Sequence, residues 1–240
     1  CRTKGHGVAI YDMEIARPNP EEFIKDVESY DAKFILFVVT GQNPNASTAA
    51  MAGAVSAASC LQGINTKIGF VGPHVNALPL EVLEKHDFID VAFTNEGVYA
   101  LLNLLRTDLS DDGLNSVNGI AYRDSTGDII INSPEKIVPQ ELLNVDLPGV
   151  AYDLMPSLDQ YRTSSWHANY IDEDRSPFAS IYTSLGCIFK CEFCMINIIN
   201  RDDNDPLKAS SSFNKFRYWD PEFTIKQLDY LADKGVKQIK

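Results

Sequence analysis

Residues 33–39, Lys-Phe-Ile-Leu-Phe-Val-Val, form a continuous apolar run of strand length. The run lacks the alternation of a strand with one wet face, and it is far too short to cross a bilayer. It belongs in the middle of a parallel sheet covered on both faces. Parallel strands need crossovers, and the following sequence supplies one after each strand. A polar loop over 40–45 leads to a small-residue helix over 49–61, capped by Ser47 or Thr48. A strand over 67–71, the loop Gly72-Pro73-His74 and a helix over 80–85 make the next unit. A strand over 89–93, a loop over 94–97 and a helix over 98–106, apolar at 98, 101, 102 and 105, make the third. Ahead of them, 8–11 reads as a strand, and Pro20-Glu21-Glu22 opens a helix to about Tyr30, Pro and acids suiting a helix start.

Repeated strand–loop–helix units imply right-handed crossovers and an α/β, doubly wound parallel sheet of Rossmann-like type. Such sheets bind ligands at the carboxyl ends of their strands, where the loops over 40–47, 72–77 and 94–97 fall. Two strands over 119–123 and 128–132 flank Ser125-Thr126-Gly127, a hairpin signature. The expected division is one domain over 1–132, a Pro-punctuated linker over 133–177, and a second α/β unit over 178–240. That unit starts with a strand over 178–184 and passes through a cysteine-rich loop. A polar excursion over 201–212, a helix from Asp220-Pro221-Glu222 to about Lys234 and a strand over 236–240 complete it. Strand, loop, helix, strand is the opening of a parallel (β/α) barrel. The first residues read as the interior of a domain whose N-terminal strand precedes them, and the last as a barrel cut short.

Acidic residues outnumber basic ones by 33 to 21, a formal net charge of -12, with no basic stripe, which disfavours binding to DNA or RNA. No stretch is long and apolar enough for a membrane span. Five cysteines, three of them in the run Cys187-Ile-Phe-Lys-Cys191-Glu-Phe-Cys194, do not make a secreted disulfide framework. They point to a reducing, cytoplasmic setting with thiols as metal ligands. Cys60, in an Ala-rich run, reads as a small buried hydrophobe.

The spacing C-x3-C-x2-C lets three thiolates on one loop grip a single metal centre and leaves one position open, where chemistry can occur. A structural zinc with His167 or a distant cysteine as fourth ligand is the bland alternative. Such sites usually come as two separated ligand pairs, and no second pair is present. Redox chemistry by Cys191 and Cys194 leaves Cys187 unexplained.

The loop, following a strand and carrying Phe193 before its last cysteine, closely resembles the radical S-adenosylmethionine (SAM) superfamily, whose signature is C-x3-C-x-aromatic-C. The resemblance implies a 4Fe–4S cluster on Cys187, Cys191 and Cys194, SAM on the fourth iron, and Phe193 backing the adenine. SAM cleavage would give a 5′-deoxyadenosyl radical that attacks an unreactive C–H bond, with electrons from a donor such as flavodoxin or ferredoxin. The upstream domain resembles the cobalamin-binding domain that precedes one branch of this superfamily. Val71-Gly72-Pro73-His74 and Asn95-Glu96-Gly97 stand where family segments read GGPH and GEGE. The Asp-x-His-x-x-Gly motif of histidine-ligated cobalamin is missing. Cobalamin contacts implied by the likeness fall on Thr40, Gly41, Gln42, Ser47, Gly72, Pro73, His74, Glu96 and Gly97. Gly72 would let a bulky ligand approach the backbone. The pairing implies a C-methyltransferase acting on an unactivated carbon of a small molecule. The alternatives are radical chemistry without methylation, over an empty cobalamin-like domain, and a non-enzymatic zinc-stabilised binding module.

Overall fold

The computed structural model describes residues 1–41, 46–163, 175–189, 191–192, 194–201, 205–210 and 216–240. Two compact units emerge, each gathered from separated stretches of chain. One, the sheet unit, comprises 20–138 and 186–216; the other comprises 1–19, 139–185 and 217–240.

In the sheet unit, α1 (Pro20–Ser29) starts on a proline with Glu21 and Glu22 in its first turn, and buries Phe23. Then follow β1 (Phe34–Val38), α2 (Ala46–Ser59), β2 (Lys67–Val71), α3 (Pro73–Ala77), α4 (Pro79–Lys85), β3 (Val91–Phe93), α5 (Val98–Leu104) and α6 (Asp111–Asn115). The hairpin strands β4 (Ile120–Arg123) and β5 (Ile129–Ile131) complete the sheet, whose spatial order is β1-β2-β3-β4-β5. β1, β2 and β3 are parallel, with Phe34 opposite Lys67 and Gly69 opposite Val91. β4 joins β3 antiparallel, Ala92 opposite Ala121, and β5 joins β4.

The sheet is therefore mixed and parallel-dominated, consistent with a Rossmann-like fold. Its described strands follow one another in space in chain order, without the reversal that a doubly wound sheet requires. The hairpin extends the sheet beyond β3, with β4 antiparallel to β3 and β5 antiparallel to β4. One core joins Val91, Phe93, Ala100, Leu104, Leu114, Ile120 and Tyr122, with Phe34, Leu36 and Val71 packed on it. The second stretch of the sheet unit contains α7 (Ile196–Ile199), which packs against α3.

Some local expectations shift. Residues 8–11 pair with no strand among the described residues; Val8 and Ile10 are exposed, so the short apolar run has no layer to enter. Residues 73–77 form a short helix where a loop was expected, because Pro73 at its first turn sets the backbone for one. Cys60 is only half-buried just past the end of α2, its thiol directed at the Ser56 carbonyl 3.4 Å away.

In the other unit, β6 (Phe178–Ala179) and β9 (Gln238–Ile239) pair in parallel, with α8 (Pro221–Asp233) between them in sequence. β7 (Ser184–Leu185) pairs antiparallel with β8 (Arg217–Tyr218). Residues 139–163, expected as linker, contribute to this unit's packing. Tyr152 joins Ala179 and Leu231 in its core, and the Trp219 indole N–H donates to the Leu147 carbonyl at 2.8 Å. Among the described residues no helix is long and apolar enough to cross a membrane.

Candidate functional site

Parallel register brings the ends of β1 and β2 side by side, Val38 opposite Val71. The backbone N–H of Val39 donates to the Val71 carbonyl at 2.8 Å, so the two strand-end loops leave from one point. Gly72 follows with φ 145°, and a β-carbon there would lie 2.0 Å from the Val39 carbonyl oxygen. The glycine that the sequence assigns to ligand approach is thus already required by the chain's own packing.

Ser47 lies in the first turn of α2, not at a cap, and is fully buried. Its hydroxyl donates to the Val39 carbonyl at 2.6 Å and accepts from the His74 backbone N–H at 3.2 Å. Thr48 Oγ1 stands 3.1 Å from His74 Nδ1. Ser47, Gly72, Pro73 and His74 are therefore brought together. Thr40 and Gly41 are exposed beyond β1, and Gln42 lies outside the described residues. His74 also lines a cavity of about 250 Å³ between α2 and α4, with Met51, Val55, Val82 and His86.

The loop after β3 turns on its own hydrogen bonds. Asn95 Oδ1 accepts from the Gly97 N–H at 3.0 Å, and Gly97 takes the left-handed φ of 76° that starts α5. The Glu96 carboxylate accepts from the Val138 N–H at 2.6 Å, so this acid holds a neighbouring segment. Asn76, buried in α3, donates to the Phe93 and Asn95 carbonyls at 2.8 and 2.7 Å. The loops after β2 and β3 are thereby tied into one edge.

Into that edge enters Arg201, whose side chain is fully buried. Its Nε donates to the Thr94 carbonyl at 2.7 Å, one terminal nitrogen to the Asn76 carbonyl, and the other to the Lys208 carbonyl at 3.3 Å. Burial pushes the guanidinium pKa down to about 10, with Asp205 opposing the shift. Asn95 Nδ2 donates to the Arg201 carbonyl at 3.0 Å and to that of Glu135 at 2.7 Å. Sequence reasoning missed Arg201 and Asn76, and it read Asn95 as a departure from a glycine. A lone arginine in a polar excursion carries no periodic or motif signal that it will be buried.

Arg201 follows the cysteine run. Cys187 and Cys194 are half-buried, Cys191 is exposed, and all three are free thiols. A turn draws the Cys194 N–H to the Cys191 carbonyl at 3.0 Å, and the Phe189 N–H points at Cys187 Sγ at 3.4 Å. The donor chemistry suits a thiolate-bound metal. Among the described residues no three His, Cys, Asp or Glu side chains are gathered closely enough to hold an ion. Phe193 and His167 lie outside the described residues.

No family model matches the chain. It is 28% identical over 199 residues to the uncharacterized methyltransferase PH0819 of Pyrococcus horikoshii, covering 81% of this chain and 37% of that protein. The chain thus spans little more than a third of that relative. In fold it resembles the cobalamin-dependent SAM radical enzyme OxsB with aqua-cobalamin and SAM bound, at a TM-score of 0.50 and 20% identity, covering 94% of this chain and 26% of that one. The aqua-cobalamin form of OxsB gives a TM-score of 0.50 at 19% identity, covering 94% and 27%.

Proposed function

We propose that this chain functions in a cobalamin-associated radical SAM enzyme, and that its reaction is methyl transfer to an unactivated carbon of a small molecule. The observation that carries the reading is the sequence run of Cys187, Cys191, Phe193 and Cys194, followed within the sheet unit by α7 packed on α3. The fold likeness to a cobalamin- and SAM-binding enzyme and the distant methyltransferase relative support it.

A 4Fe–4S cluster with SAM supplies hydrogen abstraction, and cobalamin supplies the methyl group. Cys187, Cys191 and Cys194 would ligate the cluster, and loading it requires the loop to draw the three sulfurs together. Phe193 would back SAM. Toward cobalamin, Thr40, Gly41, Gln42, Pro73 and the His74 ring would offer the contacts. Ser47, Gly72, Glu96 and Gly97 would instead hold the loops in shape, since their polar groups or open sides are taken by Val39, Val138 and Phe93. A flavodoxin- or ferredoxin-type donor and a cytoplasmic setting follow from the same reading.

The test is anaerobic reconstitution with iron and sulfide, with zinc offered in a parallel sample. Iron uptake with broad absorption near ~400 nm, lost in Cys191→Ala, is the expected result. Stoichiometric zinc with no iron would contradict the reading. Retention of hydroxocobalamin through gel filtration tests the cobalamin part separately.

A further inference from the structure

We propose that Arg201 is a positioning residue for the cysteine loop: it fastens the segment carrying Cys187, Cys191 and Cys194 to the backbone carbonyls of Asn76 in α3 and Thr94 just after β3. The inference deepens the proposed function, because it explains how a cluster loop would be set against the ligand loops of the sheet. Its structural half stands without that function.

A guanidinium removed from water loses several kcal/mol of hydration unless its donors are well met. Among the described residues, no carboxylate hydrogen-bonds or ion-pairs with Arg201; Asp205 acts only at a distance. The charge is met instead by three carbonyls drawn from three places: Asn76 after β2, Thr94 after β3, and Lys208 in its own excursion. A residue needed only to fill space would be Leu or Met, which incur no such cost. The planar fork of arginine is the group that can join three fixed carbonyls at once.

The grip is also two-sided. Asn95 returns a hydrogen bond to the Arg201 carbonyl, so main chain and side chain are both held. The Ser210 N–H donates to the Asn197 carbonyl at 3.0 Å, closing the excursion back onto α7. Between this knot and Cys194 lies only the single turn of α7, itself packed on α3. That short connection ties Cys194 to α3, the helix on which Pro73 and His74 lie.

Amide hydrogen exchange of the metal-free protein tests the latch in Arg201→Ala and, should that variant lose its fold, in Asn95→Gly, which keeps the arginine and removes the returning bond together with the Asn95 bonds to Glu135 and Gly97. Exchange over 195–201 should rise about tenfold or more while β2 and β3 stay protected. Methylguanidinium should restore protection to the alanine variant where propylammonium does not, a difference that simple cavity filling would not produce. Unchanged exchange over 195–201 in a folded variant, or equal response to the two cations, overturns the proposal. Iron uptake by the same proteins bears on the cysteine reading alone. Wild type that binds no iron sinks that reading and leaves the latch standing, whereas normal iron with unchanged exchange does the reverse.

Discussion

Replacing Gly72 by alanine tests the packing of the strand-end loops most sharply. At φ 145° the backbone is in a region closed to L side chains, which costs about 1–3 kcal/mol by itself. The new methyl would sit 2.0 Å from the Val39 oxygen and 2.8 Å from its carbonyl carbon, so backbone has to move by more than an ångström. That carbonyl accepts the Ser47 hydroxyl, and the Val39 N–H bonds Val71; loosening the two adds about 1 kcal/mol each. The sum is about 3–5 kcal/mol, a large share of the roughly 5–15 kcal/mol that holds a domain together. Native-state amide exchange of β2 and β3 under increasing urea reads the sheet unit without mixing in the other unit. A loss below about 1 kcal/mol would refute the reasoning and show that the loop relaxes away from Val39 at little cost.

Three other outcomes follow from the same geometry. Asn132→Ala removes donors to the Leu114 and Val117 carbonyls at 2.8 and 2.7 Å, and should lower sheet-unit stability by about 1–3 kcal/mol in urea melts. Burial raises the Tyr152 pKa to about 12 while its hydroxyl donates to the Ser180 carbonyl at 2.6 Å. An acid with its folded pKa raised binds more protons folded than unfolded above pH 10. Its contribution of about 2–3 kcal/mol is therefore complete below pH 10 and lost as pH rises toward 12. Tyr152→Phe should flatten that part of the stability–pH curve, measured by denaturant midpoint. Cys60→Ser, at a half-buried thiol remote in sequence from the cysteine run, should leave iron uptake unchanged in the reconstitution assay, and a loss there would show a fourth cysteine ligand.

Much of the sheet unit was legible because its signals are local and periodic. The apolar runs became β1, β2 and β3, and the Ser-Thr-Gly turn became the tip of the β4–β5 hairpin. What periodicity does not encode is partnership. Residues 8–11 have strand-like composition but pair with no strand among the described residues, and the hairpin's place on β3 depends on which sheet edge is open. At the site, Gly72 and the polar residues after β1 read in the sequence as ligand contacts, and the structure also packs Ser47, Gly72 and the His74 backbone closely together. Glu96, singled out through the family likeness, has a contact that the sequence did not signal: one of its carboxylate oxygens accepts from the Val138 backbone N–H. Arg201 was invisible for a related reason: its burial depends on carbonyls supplied by Asn76 and Thr94, far away in sequence.

The most direct test of the central claim asks whether the three thiolates leave an iron open to SAM. The reconstituted chain, reduced and mixed with SAM carrying an isotopic label on its amino nitrogen, would be studied by pulsed electron paramagnetic resonance. The account predicts a hyperfine coupling between the label and the cluster, absent when unlabelled SAM is used. A loaded and reduced cluster that shows no coupling to the label would contradict it.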